Sequence, residues 1–366
     1  MAVVGVIGGG QLARMMIPAA VALGIEIRVL AEAEGSSARL AATEVGDYRD
    51  AATVLAFAAG CDAITFDHEH VPQEVLRALE AEGVAVRPGP DALLYAQDKL
   101  LMRERLGSLG VAMPDWARIE TAEQLGAFLA DHGGRAVVKT ARGGYDGKGV
   151  RMVDDAHDAD DWLAEGAVLV EELVVFQREL AQLVARRPSG EMRAWPLVET
   201  VQRGGVCAEV IAPAPHAGAA TVRAAEQLAF TVAEGLGVTG VLAVELFEAA
   251  DGRLLVNELA MRPHNSGHFS IDGSTTSQFA QHLRAVLDWP LGDTAPVAPV
   301  SVMINVFGGL PEKSIRTALA HQPAVAVHAY GKDARPGRKA GHVTAIGTEL
   351  DDTAYRARAA AACFDA

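Results

Sequence analysis

The sequence predicts a mixed α/β and α+β fold in three parts, and three observations carry that prediction. The chain opens with an apolar run, three consecutive glycines and an immediate helix, after which strand and helix patterns alternate to about residue 95. In the middle, apolar runs bracket a glycine-rich loop with no helix following it. From Pro296 onward the pattern is of short strands with one last helix. We place the boundaries at 1–100, 101–295 and 296–366; 366 residues exceed what one ordinary core holds.

In the first part, residues 2–8 (AVVGVIG) read as a buried parallel strand, 10–23 as a helix and 25–30 as a second strand. Runs at 63–66 and 84–86 read as further strands, with alanine-rich helices between them. The stretch RPGPDALLYAQDKL (87–100) breaks the pattern with two prolines and a glycine, and a new helix starts near Pro90. In the second part, 135–140 and 147–153 flank the glycine loop as a hairpin. Strands are expected at 167–174, 178–187, 241–249 and 253–261, and helices at 121–131, 217–235 and 274–288. This is an α+β body with a mainly antiparallel sheet. The third part should end in a helix near 351–361.

Composition narrows the function. Half of the residues are hydrophobic and 22% are charged, as in a soluble globular protein. No apolar run reaches the ~20 residues of a membrane helix, and no signal peptide is expected. Three scattered cysteines, Cys61, Cys207 and Cys363, suit a reducing cytoplasm. A formal charge of −15 argues against nucleic acid, whose affinity comes largely from Lys and Arg on phosphates.

Four stretches can carry chemistry. KTARGGYDGKGV (139–150) has glycines that permit close backbone approach and positive φ, with Lys139 and Lys148 on either side, as wrapping around phosphates requires. It lacks the P-loop spacing, and its plain reading is a glycine hairpin with solvated lysines. Glu245 and Glu258 fall mid-strand in AVELF and VNELAM, where facing carboxylates repel unless a cation lies between them. Hard oxygen ligands of this kind suit Mg²⁺ shared with nucleotide phosphates; the plain reading is two edge glutamates facing solvent. RPHNSGH (262–268) gathers polar groups in a loop, and ARPGRKAGH (334–342) is a basic cluster in an acidic chain, either an anion clamp or a solvated turn.

GGYDGKG, the Glu245/Glu258 pair, NELAMRPHNSGH and RPGRKAGH, in that order, resemble the N5-carboxyaminoimidazole ribonucleotide synthase family of ATP-grasp ligases. GGGQLARMM, DKL (98–100) and TSQFAQHLRAVLDWPLG (276–292) are similar as well, and the likeness runs from residue 3 to about 350. The resemblance implies a Rossmann-like pre-ATP-grasp domain, an ATP-grasp domain and a small C-terminal domain. It implies ATP-driven, bicarbonate-dependent carboxylation of 5-aminoimidazole ribonucleotide through carboxyphosphate, in a cytoplasmic homodimer without nucleic-acid or membrane partners. ATP would meet Arg87, Lys139, Gly144, Tyr145, Asp146, Gly147, Lys148, Gly149, the stretch Glu171, Glu172, Leu173 and Val174, Glu179, Gln202, Asn257 and Glu258. The ribonucleotide would meet Gly9, Gly10, Gln11, Tyr145, Asp146, Arg262, His264, Arg338 and Lys339. Catalytic roles fall to Asp146, which accepts the amine proton, and to Arg262, His264 and Lys339; Mg²⁺ falls to Glu245 and Glu258. The opening glycines thereby go to the substrate's monophosphate at a helix N-terminus.

The chain departs from the family pattern at Met261, where proline is more frequent, and at Asp67 and His68 in TFDHEHVP (65–72), where Glu and Phe or Tyr are usual; Ala260 stands where many other ATP-grasp enzymes place a metal-binding Asn, which this family generally lacks too. Other readings remain at this point. A nicotinamide oxidoreductase would use Gly8, Gly10 and Ala13 with Glu32 on a ribose. A regulatory module would bind ATP without turnover, and a sister ATP-grasp ligase would act on another purine-pathway ribonucleotide.

Overall fold

The structure, a computed structural model, describes residues 1–144 and 149–364. The first layer runs β1 (Val3–Ile7), α1 (Gln11–Leu23), β2 (Glu26–Ala31), β3 (Ala42–Val45), α2 (Ala51–Ala58), β4 (Ala63–Phe66) and α3 (Gln73–Ala81). Its strands pair parallel in the order β3-β2-β1-β4. The central strands β1 and β4 are covered on both faces and read as near-continuous apolar runs, whereas β3 (ATEV) is an exposed edge. Val4 and Val6 pack with Leu12 and Met16 of α1, while Ile7, Ile64 and Phe66 pack with Phe57, Leu76 and Leu79 of α2 and α3. The strand expected at 84–86 is reduced to one bridge between Ile64 and Val86. Pro88 has no N–H to extend the ladder. The helix expected from Pro90 is split into α4 (Pro90–Gln97) and α5 (Lys99–Ser108). At the break, the Asp98 carboxylate accepts the N–H groups of Leu100 and Leu101 and so starts the second helix.

β5 (Trp116–Ile119), α6 (Ala122–Asp131), β6 (Ala136–Thr140), β7 (Val150–Val153), α7 (Asp160–Leu163) and β8 (Val168–Glu172) form a small antiparallel sheet in the order β5-β8-β6-β7. A capping box between Thr121 and Gln124 opens α6. This sheet has its own core of Ile119, Leu125, Phe128, Val138, Val153, Val168 and Val170. β6 and β7, on either side of the glycine stretch, pair antiparallel, as its spacing predicts.

The rest is β9 (Phe176–Arg186), β10 (Met192–Ala194), β11 (Val198–Arg203), β12 (Val206–Ala212), α8 (Ala219–Gly235), β13 (Gly240–Ala249), β14 (Leu254–Ala260), α9 (Ser270–Gly273), α10 (Gln278–Val286), β15 (Val300–Gly308), α11 (Glu312–His321), β16 (Val325–Ala329), β17 (Arg335–Gly347) and α12 (Leu350–Ala361). Among the described residues these strands make one sheet, ordered β14-β13-β9-β11-β12-β15-β17-β16 with β10 paired to β9. The C-terminal domain thus continues the central sheet through the β12–β15 pairing. Its β17 is 13 residues long rather than short, because the strand that carries RPGRKAGH also completes the sheet.

Candidate active site

The small sheet, the large sheet and the end of the first layer enclose a cleft of about 1080 Å³. Its walls include Gln11, Lys99, Lys139, Gly144, Glu171 to Val174, Glu179, Gln202, Glu245, Asn257, Glu258, Arg262, His264 and Lys339. These residues come from all three parts of the chain.

A buried polar cluster is built around Glu171 at the end of β8. Arg103 of α5, with no exposed surface, donates from Nε to Glu171 Oε1 at 2.6 Å, and to the carbonyl oxygens of Val256 and Asn257 at 2.8 and 2.7 Å. Lys139 Nζ lies 2.8 Å from Glu171 Oε2 and donates to Asn257 Oδ1 at 2.9 Å. Burial works to raise the Glu171 pKa, but Lys139 and Arg103 outweigh it and hold the carboxylate below its ordinary range. The side chain of Glu171 thus fixes the Lys139 ammonium beside Asn257. Arg103 has no counterpart in the sequence reading, because nothing in RERLG sets one arginine apart.

Glu245 and Glu258 are a direct cross-strand pair between β13 and β14. Burial, with Glu258 and Glu179 adding like charge, pushes the Glu245 pKa up to about 7. Burial also raises that of Glu179. An oxygen set that repels itself in this way fits a hard divalent cation. No cluster of three or more His, Cys, Asp or Glu forms a metal site among the described residues, so phosphate or water oxygens would complete the shell.

The loop after β14 brings its groups to the same place. Ser266 N–H faces His264 Nδ1 at 3.4 Å and the Ser266 hydroxyl lies 2.9 Å from it, while His264 Nε2 faces Glu245 Oε1 at 3.4 Å. Burial, with Arg262 and Lys339 nearby, lowers the His264 pKa to about 3, so the ring is neutral. Arg262 Nε is 3.5 Å from Glu69 Oε2, and Glu69 Oε1 accepts the Met261 N–H at 2.6 Å.

The opening glycines stand differently. Gln11 and Leu12 line the cleft, but Gly9 and Gly10 do not. The first turn of α1 meets the protein's own carboxylate: Asp67 Oδ1 accepts the Ala13 N–H at 2.8 Å. A Cβ on Gly10 would lie 2.0 Å from Asp67 Oδ2, and one on Gly8, at φ +105°, would lie 2.7 Å from the His68 ring. Glu32, the acid on which the nicotinamide reading depends, faces Gly9 N–H at 3.5 Å and His68 Nε2 at 3.3 Å.

Arg87 and Arg338 stand outside the cleft walls. Arg87 donates to the Val286 carbonyl oxygen at the end of α10 at 2.6 Å. Arg338 faces the Asp333 carbonyl oxygen at 3.5 Å and is also outside those walls; along β17 its neighbour Lys339 takes the inward side. Gly149 is outside them too. It closes the hairpin at φ +73°, where a Cβ would strike Thr140 Oγ1 at 2.6 Å. Tyr145, Asp146, Gly147 and Lys148 lie outside the described residues.

Sequence reasoning also passed over Lys99, which donates to the Gly143 carbonyl oxygen at 2.9 Å and whose pKa burial lowers. DKL (98–100) and TFDHEHVP held the signals for Lys99 and Glu69. The stacked rings of Phe176 and Phe247, 4.7 Å apart in the cleft wall, carried none.

Known proteins place this arrangement. The N5-carboxyaminoimidazole ribonucleotide synthase of Mycobacterium tuberculosis is 53% identical, aligned over 98% of this chain and 86% of its own length. The chain belongs to the N5-carboxyaminoimidazole ribonucleotide synthase family. Residues 1–97 match the ribonucleotide synthetase preATP-grasp domain, 104–279 the ATP-grasp domain and 301–356 the phosphoribosylaminoimidazole carboxylase C-terminal domain. The synthetase of Thermus thermophilus superposes with a TM-score of 0.91 at 36% identity, covering 99% of both chains. The Aspergillus clavatus family member, solved with ADP and 5-aminoimidazole ribonucleotide, gives 0.90 at 30% identity over 100% of this chain and 98% or more of its own. The resemblance drawn from the motifs and the three-part fold it implied are both present.

Proposed function

We propose that this chain is an ATP-grasp ligase that carboxylates 5-aminoimidazole ribonucleotide with bicarbonate, releasing N5-carboxyaminoimidazole ribonucleotide, ADP and phosphate. The carrying observation is that one cleft holds both the Glu245/Glu258 pair with Lys139 and the cationic group Arg262 and Lys339. One half suits nucleotide phosphates, and the other suits a second, smaller anion.

Lys139, Lys99 and Gly144 bind the phosphates on the small-sheet side, and Glu171 to Val174, Glu179, Gln202 and Asn257 take the nucleoside. Glu245 and Glu258 would hold Mg²⁺, which neutralises charge on the phosphates. Arg262, His264 and Lys339 orient bicarbonate so that its oxygen meets the γ-phosphorus in line as the bond to ADP breaks. The exocyclic amine then attacks the carboxyphosphate carbon; the C–O bond to phosphate breaks and the amine proton passes to Asp146. Because water destroys the intermediate, the hairpin 140–149 serves as part of a lid. Gly9, Gly10, Gln11, Tyr145 and Arg338 remain in this reading as proposed ribonucleotide contacts, with Gln11 the one that lines the cleft.

Among the described residues no helix is long and apolar enough to cross a membrane. The reading places the enzyme in the cytoplasm as a homodimer, which sedimentation analysis tests. The reaction is tested by ADP release with ribonucleotide and bicarbonate each present or omitted. Release that ignores both overturns it.

A further inference from the structure

Gln278 opens α10, yet its side chain is fully buried beneath the 262–268 loop. Its Oε1 accepts the His264 N–H at 2.8 Å, and its Nε2 donates to the His264 carbonyl oxygen, also at 2.8 Å. A backbone N–H can only donate and a carbonyl can only accept, so these two bonds fix which end of the amide is which. The second Nε2 hydrogen is aimed at His268 Nδ1, 2.8 Å away. Nδ1 must then offer a lone pair. A ring in that state is neutral and carries its proton on Nε2.

The surroundings are built around this clamp. A Cβ on Gly267 would stand 2.4 Å from Gln278 Oε1 and 2.3 Å from Leu183 Cδ2, so the loop needs glycine there. The Ser270 hydroxyl accepts the Gln278 N–H at 2.9 Å and donates to the Gly267 carbonyl oxygen at 2.6 Å. The His268 ring stacks on His342 at 5.1 Å and lines the cleft with Arg262, His264 and Lys339, although only 1% of it is exposed. Burial, then His264 and Lys339, hold its pKa well below the ordinary range, in keeping with a neutral ring.

We propose that His268 offers the cleft a neutral Nε2–H donor for an oxyanion, and that Gln278 is the positioning residue that sets this tautomer. A third cation beside Arg262 and Lys339 would add like-charge repulsion, whereas a neutral donor binds oxygen without that cost. The oxyanion is an oxygen of bicarbonate or of the ribonucleotide phosphate, an assignment that rests on the proposed function.

Nitrogen-15 NMR of the ring-labelled full-length protein reads the tautomer directly, with the His268 signal assigned by its loss in His268→Asn. The expected state is Nε2–H, changing to Nδ1–H or imidazolium in Gln278→Glu, whose carboxylate has no hydrogen to donate. Nδ1–H or imidazolium in the wild type overturns the proposal. Titration with bicarbonate and with ribonucleotide should move the Nε2 signal for one of them, which names the source; movement with neither overturns it.

If Gln278→Glu does not fold, His268→Asn and His268→Gln decide. Asn keeps a partner for Gln278 but removes the distal donor, and should raise KM for bicarbonate or ribonucleotide about tenfold while leaving KM for ATP unchanged. Gln restores a distal donor and should recover most of that loss. Equal effects of both variants on all KM values would mean packing alone. If the wild type releases no ADP with these substrates, the proposed reaction fails, while the tautomer measurement still stands.

Discussion

Two places in the molecule advertise charge in the sequence, and the structure treats them oppositely. At the N-terminus of α1, Asp67 already occupies the first-turn N–H group of Ala13, and Glu32 with His68 closes the glycine turn. At the β13–β14 pair, two carboxylates stand opposite each other in the cleft wall, and burial with like charge raises the Glu245 pKa to about 7. The first place is met by its own chain; the second sets two carboxylates against each other in the cleft wall, an arrangement open to a cation. A glycine-rich turn or a pair of acids therefore says little until the neighbouring elements show whether the charge is already answered.

The sharpest test acts on the Glu245/Glu258 pair. Glu258→Gln should lower turnover on the order of a hundredfold or more, since cation neutralisation of phosphate charge contributes several kcal/mol. Its melting temperature should not fall, because the substitution also removes the repulsion with Glu245. Activity within tenfold of wild type at saturating magnesium would remove the metal role.

Next comes Gly10→Val. The added side chain collides with Asp67, so stability should fall by about 1–3 kcal/mol in a urea titration. The affinity of the folded variant for a non-hydrolysable ATP analogue should stay near that of wild type by calorimetry, while ribonucleotide affinity drops. Lost ATP affinity with retained ribonucleotide affinity would reverse the two phosphate assignments.

Lys339→Ala should raise KM for the ribonucleotide about tenfold, the loss of one charge-assisted bond, with KM for ATP little changed. Equal shifts would make Lys339 structural.

The smallest effect belongs to Glu32. Hydrogen bonding with His68, against burial, holds its pKa down at about 2 from 4.5. A depressed carboxylate adds stability above its unfolded pKa and loses it as pH falls toward the folded one. Glu32→Gln should therefore lower the urea midpoint at pH 7, and the gap to wild type should shrink from pH 4.5 toward pH 2. A gap that does not change with pH would show that the pair contributes packing rather than charge. The carboxylate is half exposed, so solvent screening keeps the difference small.

Legibility in the sequence followed the same division. Elements with one strong local pattern were readable: β1, β4, β13, β14 and α8, and the hairpin character of the 140–149 loop. The β11–β12 hairpin turns on Gly204 and Gly205, both at positive φ; VETVQR holds four polar residues in six and does not stand out, while VCAEVIA, apolar apart from Glu209, is a strand the expected set lacks. β5, β10 and β3 are short and gain their place from neighbours rather than from their own pattern. In the site, Glu245, Glu258 and the 262–268 loop were legible because several polar groups lie close in sequence. Arg103, Glu69, Lys99 and Gln278 act across separations of 44 residues or more or through backbone contacts, which no local spacing encodes. Arg87 shows the converse: local sequence does not reveal that its guanidinium donates to the carbonyl oxygen at the end of α10.

Helix α10 follows β13 and β14 in sequence, but Phe279, Leu283 and Val286 are packed among Val4, Val6, Leu12 and Met16 of the first layer. The outermost domain boundary drawn from sequence therefore does not mark a separable module. A fragment ending at residue 100 would carry a bare oily face where α10 belongs, and would aggregate rather than fold. In a calorimeter the first layer and the large sheet should melt under a single peak, while the small sheet, which has its own core, is the part free to melt on its own.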